Sequence, residues 1–467
     1  MAGSKFHNLD PGSRAIILAE FLVLIGVFVI GVELLRLSGF EGIPAYGEGI
    51  LLLHCLAFTF PIQLSILSVG LYNQKIRETF RGVIRRLLVS IALGYFISSV
   101  IYVLTPLDVL PGNFRELLYA AVMMGLTTIR YFALKMQYEH MGRKRILVLG
   151  AGERASIIEK RMRRKSDRVS FEMAGFIRMP GDSDEGIKRE TILELDQPLE
   201  SFVLANGVEE IVIAADERRA NLPVDSLFLC KLRGVEITDI IDFIERESGQ
   251  IAVNLIYPSW VIYSNGFHST NYLRSSLDWV CNTFLGLIVL FLTWPLMLIT
   301  VIMIKLEEGI RAPVLYSQER IGLNGQPFNI YKFRSMRTDA EKDGAKWAQK
   351  EDPRVTKVGN FIRKYRIDEL PQIYNVLVGD MGFVGPRPER PAFVKELVLS
   401  IPYYNQRHNV KPGLTGWAQL KYPYGSTEAD ALEKLKFDLY YIKHRSFLLD
   451  LLILVRTAEI ILFGKGR

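Results

Sequence analysis

Four apolar runs open the chain, at about residues 15–35, 49–72, 87–104 and 117–134. Each is close to the roughly 20 residues that a helix needs to cross a bilayer. Each is apolar on every face, unlike the one-sided stripe of a helix in a soluble bundle. Glu20 interrupts the first run, and a carboxylate at that depth is expected to face the bundle interior. Loop charges orient the runs. Lys5 and Arg14 precede the first, Lys75, Arg77, Arg81, Arg85 and Arg86 separate the second from the third, and Arg143, Lys144 and Arg145 follow the fourth. The remaining two loops are poor in Lys and Arg, so the N-terminus, the middle loop and everything after residue 140 are expected in the cytoplasm. The polar start, residues 1–13, carries no signal-peptide cleavage pattern. Residues 1–140 thus read as a module of four transmembrane helices.

Beyond it the pattern changes to short apolar strands alternating with helices. The stretch RKRILVLGAGERASIIEKRMRRK predicts a strand, a glycine turn and a basic helix. Further strands are expected at 171–177, 208–216 and 235–241, an alternation that implies a parallel sheet. Gly150, Gly152 and Ala155 stand in a G-x-G-x-x-A arrangement, the form used to seat a dinucleotide pyrophosphate at a helix N-terminus. No acid stands at the end of the second strand to hold a ribose; Glu172 lies at its start. Residues 141–265 therefore read as a Rossmann-like α/β domain, used either for a cofactor or for packing, dimerisation or regulation.

A fifth apolar run, Trp279 to Ile304, contains Pro295 and is flanked by Arg274 and Lys305. Its flanks give no preferred direction of crossing. Proline inside a helix removes a hydrogen bond and kinks it, and Ser/Thr neighbours such as Thr293 can satisfy the freed groups. A helix that enters the membrane and turns back at Pro295 keeps both flanks in the cytoplasm; a kinked spanning helix is the alternative. Residues 305–424 carry the polar chemistry. An amphipathic helix is expected after residue 425, and the apolar ending is broken by Asp450, Arg456 and Glu459, which suits a helix lying on the membrane surface. The expected linkers are 181–190 and 265–270, and no internal repeat is present.

Composition supports a membrane protein. Of 467 residues 49% are hydrophobic, and the mean hydropathy is +0.17. A net charge of +7 and a pI near 9.1 favour anionic partners. The basic residues flank apolar runs and form no nucleic-acid recognition helix, so membrane and phosphate are expected and nucleic acid is not. Cys55, Cys230 and Cys281 are far apart and read as buried thiols, and the six histidines form no ligand-spaced cluster.

The densest chemistry lies in RKYRIDELPQIYNVLVGDMGFVGPRPER, residues 363–390. Asp368 and Glu369 are adjacent, Asp380 follows, and Arg363, Arg387 and Arg390 surround them, with Lys332, Arg334 and Arg337 upstream. Carboxylates able to hold a divalent cation or attack phosphorus, set among cations able to hold phosphates, are the parts of phosphoryl transfer. Adjacent helical residues point about 100° apart, so both acids reach one site only at a helix end. Pro371 fits such an end, as the start of a helix LPQIYNVL. Arg363 and Arg387 are the first choices for binding phosphate. Lys332 and Arg334 serve the same purpose or lie as basic residues on the membrane surface. Asp380 is either a second metal contact or an anchor for the glycine-rich turn.

These motifs resemble the bacterial sugar transferases of the polyprenyl-phosphate hexose-1-phosphate transferase family, in its long form. The matching residues are KFRSM (332–336), Arg363, DELPQ (368–372), NVLVGDM (375–381), VGPRPE (384–389), PGLTGWAQ (412–419), the RIG turn (320–322) and the proline-containing run. They cover residues 275–467; the first half resembles the membrane module and nucleotide fold of long members more loosely. The resemblance implies a mainly helical monotopic catalytic domain, residues 270–467, with a proline-broken re-entrant helix at about 279–304. It implies transfer of a hexose-1-phosphate from a UDP-sugar to undecaprenyl phosphate with release of UMP, initiating exopolysaccharide or O-antigen synthesis at the bacterial inner membrane. Asp368 would attack the β-phosphorus and carry a covalent phosphosugar, with Glu369 and Mg²⁺ beside it; Asp368, Glu369 and Asp380 are the metal candidates. Expected partners are a UDP-hexose (UDP-glucose or UDP-galactose foremost), undecaprenyl phosphate, membrane lipids and a second copy in a homodimer. KYPYGS (421–426) departs from the NGR-like ending of many relatives and leaves sugar choice open. Rival readings are a membrane NAD-dependent sugar oxidoreductase or epimerase, whose Tyr-x-x-x-Lys pair is missing from residues 217–262, and a non-catalytic regulator of polysaccharide export.

Overall fold

The computed structural model describes residues 11–37, 48–72, 80–105, 107, 112–139, 143–162, 168, 171–184, 187–217, 222–264, 266–267, 272–337, 354–422, 425 and 427–462. Lys5, Lys75 and Arg77 of the orienting charges, most of the 265–270 linker, and Pro423, Tyr424 and Ser426 lie outside these residues. The chain divides into two compact units, Met1–Phe243 and Ile244–Arg467.

The first unit begins with α1 (Pro11–Leu37), α2 (Glu48–Ser68), α3 (Phe80–Leu104) and α4 (Gly112–Glu139). All four are long and apolar enough to cross a membrane. Leu24, Phe28, Phe58, Ile62, Leu87, Val122 and Leu126, drawn from the four helices, form one buried cluster. Apolar side chains such as Leu18, Leu22, Ile30 and Leu34 face outward. Glu20 is fully buried, as its depth predicted. It accepts from Arg130 Nε at 2.6 Å and Nη2 at 3.1 Å, and from the Tyr72 hydroxyl. Gln63 Nε2 donates to Tyr72 at 2.8 Å, and Arg130 Nη1 to the Leu71 carbonyl at 2.8 Å. The charge that would be costly against lipid is thus answered across α1, α2 and α4.

The alternating segment forms β1 (Lys144–Leu149), α5 (Glu153–Arg161), β2 (Phe171–Ile177), α6 (Leu199–Ala205), β3 (Glu210–Ile213), α7 (Val224–Leu232), β4 (Glu236–Asp239) and α8 (Ile240–Ser248). The strands are all parallel in the order β2-β1-β3-β4. Ile146, Leu147 and Val148 are wholly buried, as expected of a strand covered on both faces.

The second unit contains α9 (Pro258–Tyr263) and α10 (Tyr272–Glu308), a helix of 37 residues. Residues 249–255, assigned from sequence to the α/β domain, bond within this unit. Ile251 N donates to Lys436 O at 3.0 Å, and Trp417 Nε1 to Gly249 O at 2.9 Å. Pro295 lies inside α10, with helix on both sides of it. A proline interior to a helix deletes one backbone donor and favours a kink there. Thr293 Oγ1 donates to Val289 O at 2.7 Å. One face of α10 packs on the unit along its length. Leu285 and Val289 join Val376, Met381 and Phe383, while Met297, Val301 and Ile304 join Phe333, Ile362 and Ile367. The opposite face exposes Phe284, Leu287, Phe291, Leu292 and Ile299. Cys281, read from sequence as a buried thiol, is exposed on α10, whereas Cys230 is buried and Cys55 half-buried.

A hairpin follows, β5 (Leu315–Ile321) and β6 (Pro327–Phe333), then α11 (Lys357–Lys364), a 3-10 turn Ile367–Gln372, α12 (Ile373–Val378), β7 (Gly382–Val384) and α13 (Pro391–Ser400). The remainder is a 3-10 turn Tyr404–Asn409, β8 (Gly413–Thr415) parallel to β7, α14 (Trp417–Lys421), α15 (Glu428–His444) and α16 (Phe447–Leu462). Thr427 and Asp430 form a capping box at the start of α15. On α16 Ile453 is fully buried and Asp450 accepts from Tyr441 OH at 2.7 Å, so that helix packs against the unit with its first charge turned inward.

Candidate active site

Asp368 and Glu369 lie in the 3-10 turn between α11 and α12. The sequence placed them at the start of a helix opened by Pro371. In the structure Pro371 sits inside the turn and α12 begins two residues later, at Ile373. Arg366 caps the turn in the left-handed conformation, φ 59°. The turn rests on β6, which brings Lys332 to the acids.

Glu369 gathers the cations. Its Oε1 accepts from Lys332 Nζ at 3.1 Å and Arg387 Nη2 at 3.0 Å, and its Oε2 from Arg366 Nη1 at 3.2 Å. Burial alone would raise its pKa, but Lys332, Arg387 and Arg366 hold it well below the ordinary carboxylate range. Asp368 differs. It is 9% exposed and accepts no hydrogen bond among the described residues. Burial, and then the neighbouring Glu369 charge, push its carboxyl above the usual value against the pull of Lys332, Arg363 and Arg366. Burial lowers the pKa of Lys332, while Glu369 counters it.

Of the residues expected from sequence, Lys332 and Arg387 meet Glu369 directly, and Arg363, in the last turn of α11, acts on Asp368 through its charge. Arg334 Nε is bonded to the Pro313 carbonyl at 3.1 Å. Arg390 opens α13, where its charge bears on Arg320. Asp380 Oδ2 accepts from Asn375 Nδ2 at 3.3 Å, and the same Nδ2 donates to Asn329 O at 2.7 Å. Among the described residues no group of three or more His, Cys, Asp or Glu is placed to hold a metal ion. Arg366 was not singled out from sequence, although it lies three residues before Glu369, a spacing at which side chains meet on a helical turn. Asn375, fully buried, opens the NVLVGDM motif but was not singled out from sequence as a site residue.

The glycine turn after β1 is filled by the chain itself. Asp216 accepts from Glu153 N at 3.0 Å, Arg154 N at 2.9 Å, Ser183 N at 3.1 Å and Ser183 Oγ at 3.0 Å. Asp182 accepts from Ala151 N at 2.7 Å and Asp216 N at 3.0 Å. A Cβ at Gly152 would lie 2.0 Å from Asp216 Oδ2, so here the glycine makes room for a carboxylate of this chain.

An acid pair ringed by Lys332, Arg366 and Arg387 against a long apolar helix defines a membrane-associated phosphoryl-transfer class. The comparisons name it: residues 273–464 match the family of bacterial sugar transferases. Over 352 residues the chain is 32% identical to the UDP-glucose:undecaprenyl-phosphate glucose-1-phosphate transferase of Xanthomonas campestris pv. campestris, covering 73% of this chain and 71% of that protein. It is 31% identical over 345 residues to the undecaprenyl-phosphate glucose phosphotransferase of Komagataeibacter xylinus, covering 69% and 60%. The UDP-N-acetylgalactosamine-undecaprenyl-phosphate N-acetylgalactosaminephosphotransferase of Aeromonas hydrophila is 50% identical over 172 residues, covering 37% and 40%. The matches thus span less than two thirds of the Aeromonas and Komagataeibacter proteins. The chain belongs to the bacterial sugar transferase family.

Proposed function

We propose that this protein transfers a hexose-1-phosphate from a UDP-sugar to undecaprenyl phosphate, releasing UMP and initiating exopolysaccharide or O-antigen synthesis. The observation that carries this reading is Asp368: a desolvated carboxylate without hydrogen-bond partners among the described residues, beside a Glu369 that is fully engaged. A carboxylate in that state is a nucleophile, whereas Glu369 organises cations.

Asp368 attacks the β-phosphorus; the bond from that phosphorus to the bridging oxygen breaks and UMP leaves with the electron pair. An oxygen of the prenyl phosphate then attacks the same phosphorus and Asp368 departs as a carboxylate. Splitting one displacement into two is the usual benefit of covalent catalysis. Lys332, Arg366 and Arg387, which hold Glu369 here, can take phosphate oxygens as the substrate enters, with Arg suited to forked contacts. The Asp368 and Glu369 carboxylates are hard oxygen donors, and the open Asp368 oxygens fit Mg²⁺, which binds through one or two carboxylates plus substrate phosphates. Bound there, Mg²⁺ would neutralise diphosphate charge. Asp380, tied to Asn375, takes the anchoring role.

In this reading α1–α4 cross the inner membrane and α10 enters from the cytoplasmic face and stays on it. Both ends of α10 support this, because both bond to the second unit. Arg274 donates to the Arg445 carbonyl, and Glu307 accepts from Lys357 N at 2.8 Å and Val358 N at 2.9 Å. A helix of this length spans about 55 Å, and crossing would carry one end off the unit. The outward apolar face then meets lipid.

The test is UMP release from UDP-glucose, UDP-galactose and UDP-N-acetylgalactosamine, with Mg²⁺ and undecaprenyl phosphate. Mg²⁺-dependent UMP from one of them is expected. Folded protein that releases none from a wider panel would overturn the transferase reading.

A further inference from the structure

The segment that carries Arg387 includes Pro386 and Pro388, which bring no backbone N–H. It has to be held chiefly by its carbonyls, and each carbonyl from Pro386 to Glu389 has a donor. Pro386 O accepts from Gly413 N at 3.0 Å and Glu389 O from Ile321 N at 3.0 Å. Arg387 O accepts from Arg407 Nη2 at 2.9 Å, and Pro388 O from Arg320 Nη1 at 3.1 Å. Two of these donors are side chains, and both are arginines from elsewhere in the unit.

Arg407, in the 3-10 turn Tyr404–Asn409, is 6% exposed. It faces Asp438 Oδ2 of α15 at 2.9 Å and donates to Tyr404 OH at 2.6 Å. Arg320, near the end of β5, faces Glu389 Oε2 at 3.5 Å and donates to Gln318 Oε1 at 2.6 Å. Desolvating a guanidinium is costly unless it is paired. Each arginine has its carboxylate, and each spends a donor on the main chain at or next to Arg387.

We propose that Arg407, held by Asp438, and Arg320, held by Glu389, are positioning residues that fix the Pro386–Glu389 segment so that Arg387 reaches the acid pair. The proposal rests on the transferase reading, in which Arg387 receives a substrate phosphate. Among the described residues neither arginine bonds to Asp368 or Glu369, so the effect passes through the backbone of Arg387. The groups facing Asp438 are Arg407 and the Tyr404 hydroxyl from the turn, Glu389 from the segment and Lys434 from its own helix; burial and then the Glu389 charge push its carboxyl up to about 6 against the pull of Arg407 and Lys434. Protonation of Asp438 would leave Arg407 uncompensated, so KM for the UDP-sugar is expected to rise as pH falls through that value.

The test is a double-mutant cycle on kcat/KM for the UDP-sugar in the full chain. Arg407→Gln is expected to lose about 100-fold, the scale of a misplaced binding group. In an Arg387→Ala background the same change should cost less than about threefold, because residues acting through one another are not additive. Losses that multiply in the double variant would overturn the proposal. Arg407→Lys keeps a charge opposite Asp438 and guards against misfolding. Its single ammonium cannot span Tyr404, Asp438 and the Arg387 carbonyl together, so about a tenfold loss is expected, and wild-type efficiency would equally overturn the proposal. Failure of the transferase reading gives a different result, no UMP from the wild type.

Discussion

Asp216, in the bend after β3, and Asp368, in the 3-10 turn before α12, end in opposite states. Asp216 lies against the N-terminus of α5 and takes four hydrogen bonds. Burial works against its charge but is outweighed by the Arg154, Ser183 and Glu153 amides and the Ser183 hydroxyl, so its carboxyl lies below the ordinary range. Asp368 takes no hydrogen bond among the described residues, and burial with the Glu369 charge moves its carboxyl up. The first is a finished structural contact. The second is largely buried without being given donors among the described residues, a condition under which a carboxylate can be used for chemistry. A glycine-rich turn is therefore not by itself a ligand site, because the chain can supply its own anion.

The strongest way to break this comparison is Asp368→Asn. UMP release should fall by about 10⁴-fold or more, as for loss of a covalent nucleophile, and no phosphosugar adduct should appear on the protein by mass spectrometry. Retained turnover would make Asp368 as structural as Asp216. Glu369→Gln sharpens the contrast by pH. Asp368 has to be ionised to attack, so activity falls as pH drops through its raised pKa. Removing the Glu369 charge leaves Lys332, Arg363 and Arg366 acting on Asp368, so the acid limb of kcat should move about one unit or more to lower pH. A limb that stays in place would mean that another group sets it.

The smallest effect is expected at Asp216→Ala. Loss of this cap should destabilise α5 by about 1 kcal/mol, read as faster amide hydrogen exchange in residues 153–161, with UMP release unchanged. A group whose folded pKa is lowered stabilises above its unfolded pKa. The difference from wild type should therefore fade as pH falls through the lowered value. A large loss of UMP release here would tie the α/β sheet to turnover.

The apolar runs, the strand-helix alternation and the order of motifs from KFRSM to GWAQ were legible along the chain because each is a local or periodic signal. DELPQ and VGPRPE announced Asp368, Glu369 and Arg387, and the 332–336 run announced Lys332. Arg334 shared its motif with Lys332, and Arg390 stood below Arg387 as a phosphate-binding candidate. The fold gave Arg334 to the Pro313 carbonyl and set Arg390 near Arg320, since spacing along a strand or loop does not say which way a side chain turns.

The sequence by itself determined that this chain has membrane-length helices, a parallel α/β segment and an acid pair among cations, because period and residue type are properties of the chain. Only the tertiary structure decided which acid is satisfied and which is not. Glu369 meets Lys332 from β6 and Arg387 from beyond β7, Asp216 fills the turn after β1, and Arg407 reaches the carbonyl of Arg387 twenty residues away. These are partnerships between segments distant in the chain. They exist only once burial has removed water and left each polar group to find a donor or go without.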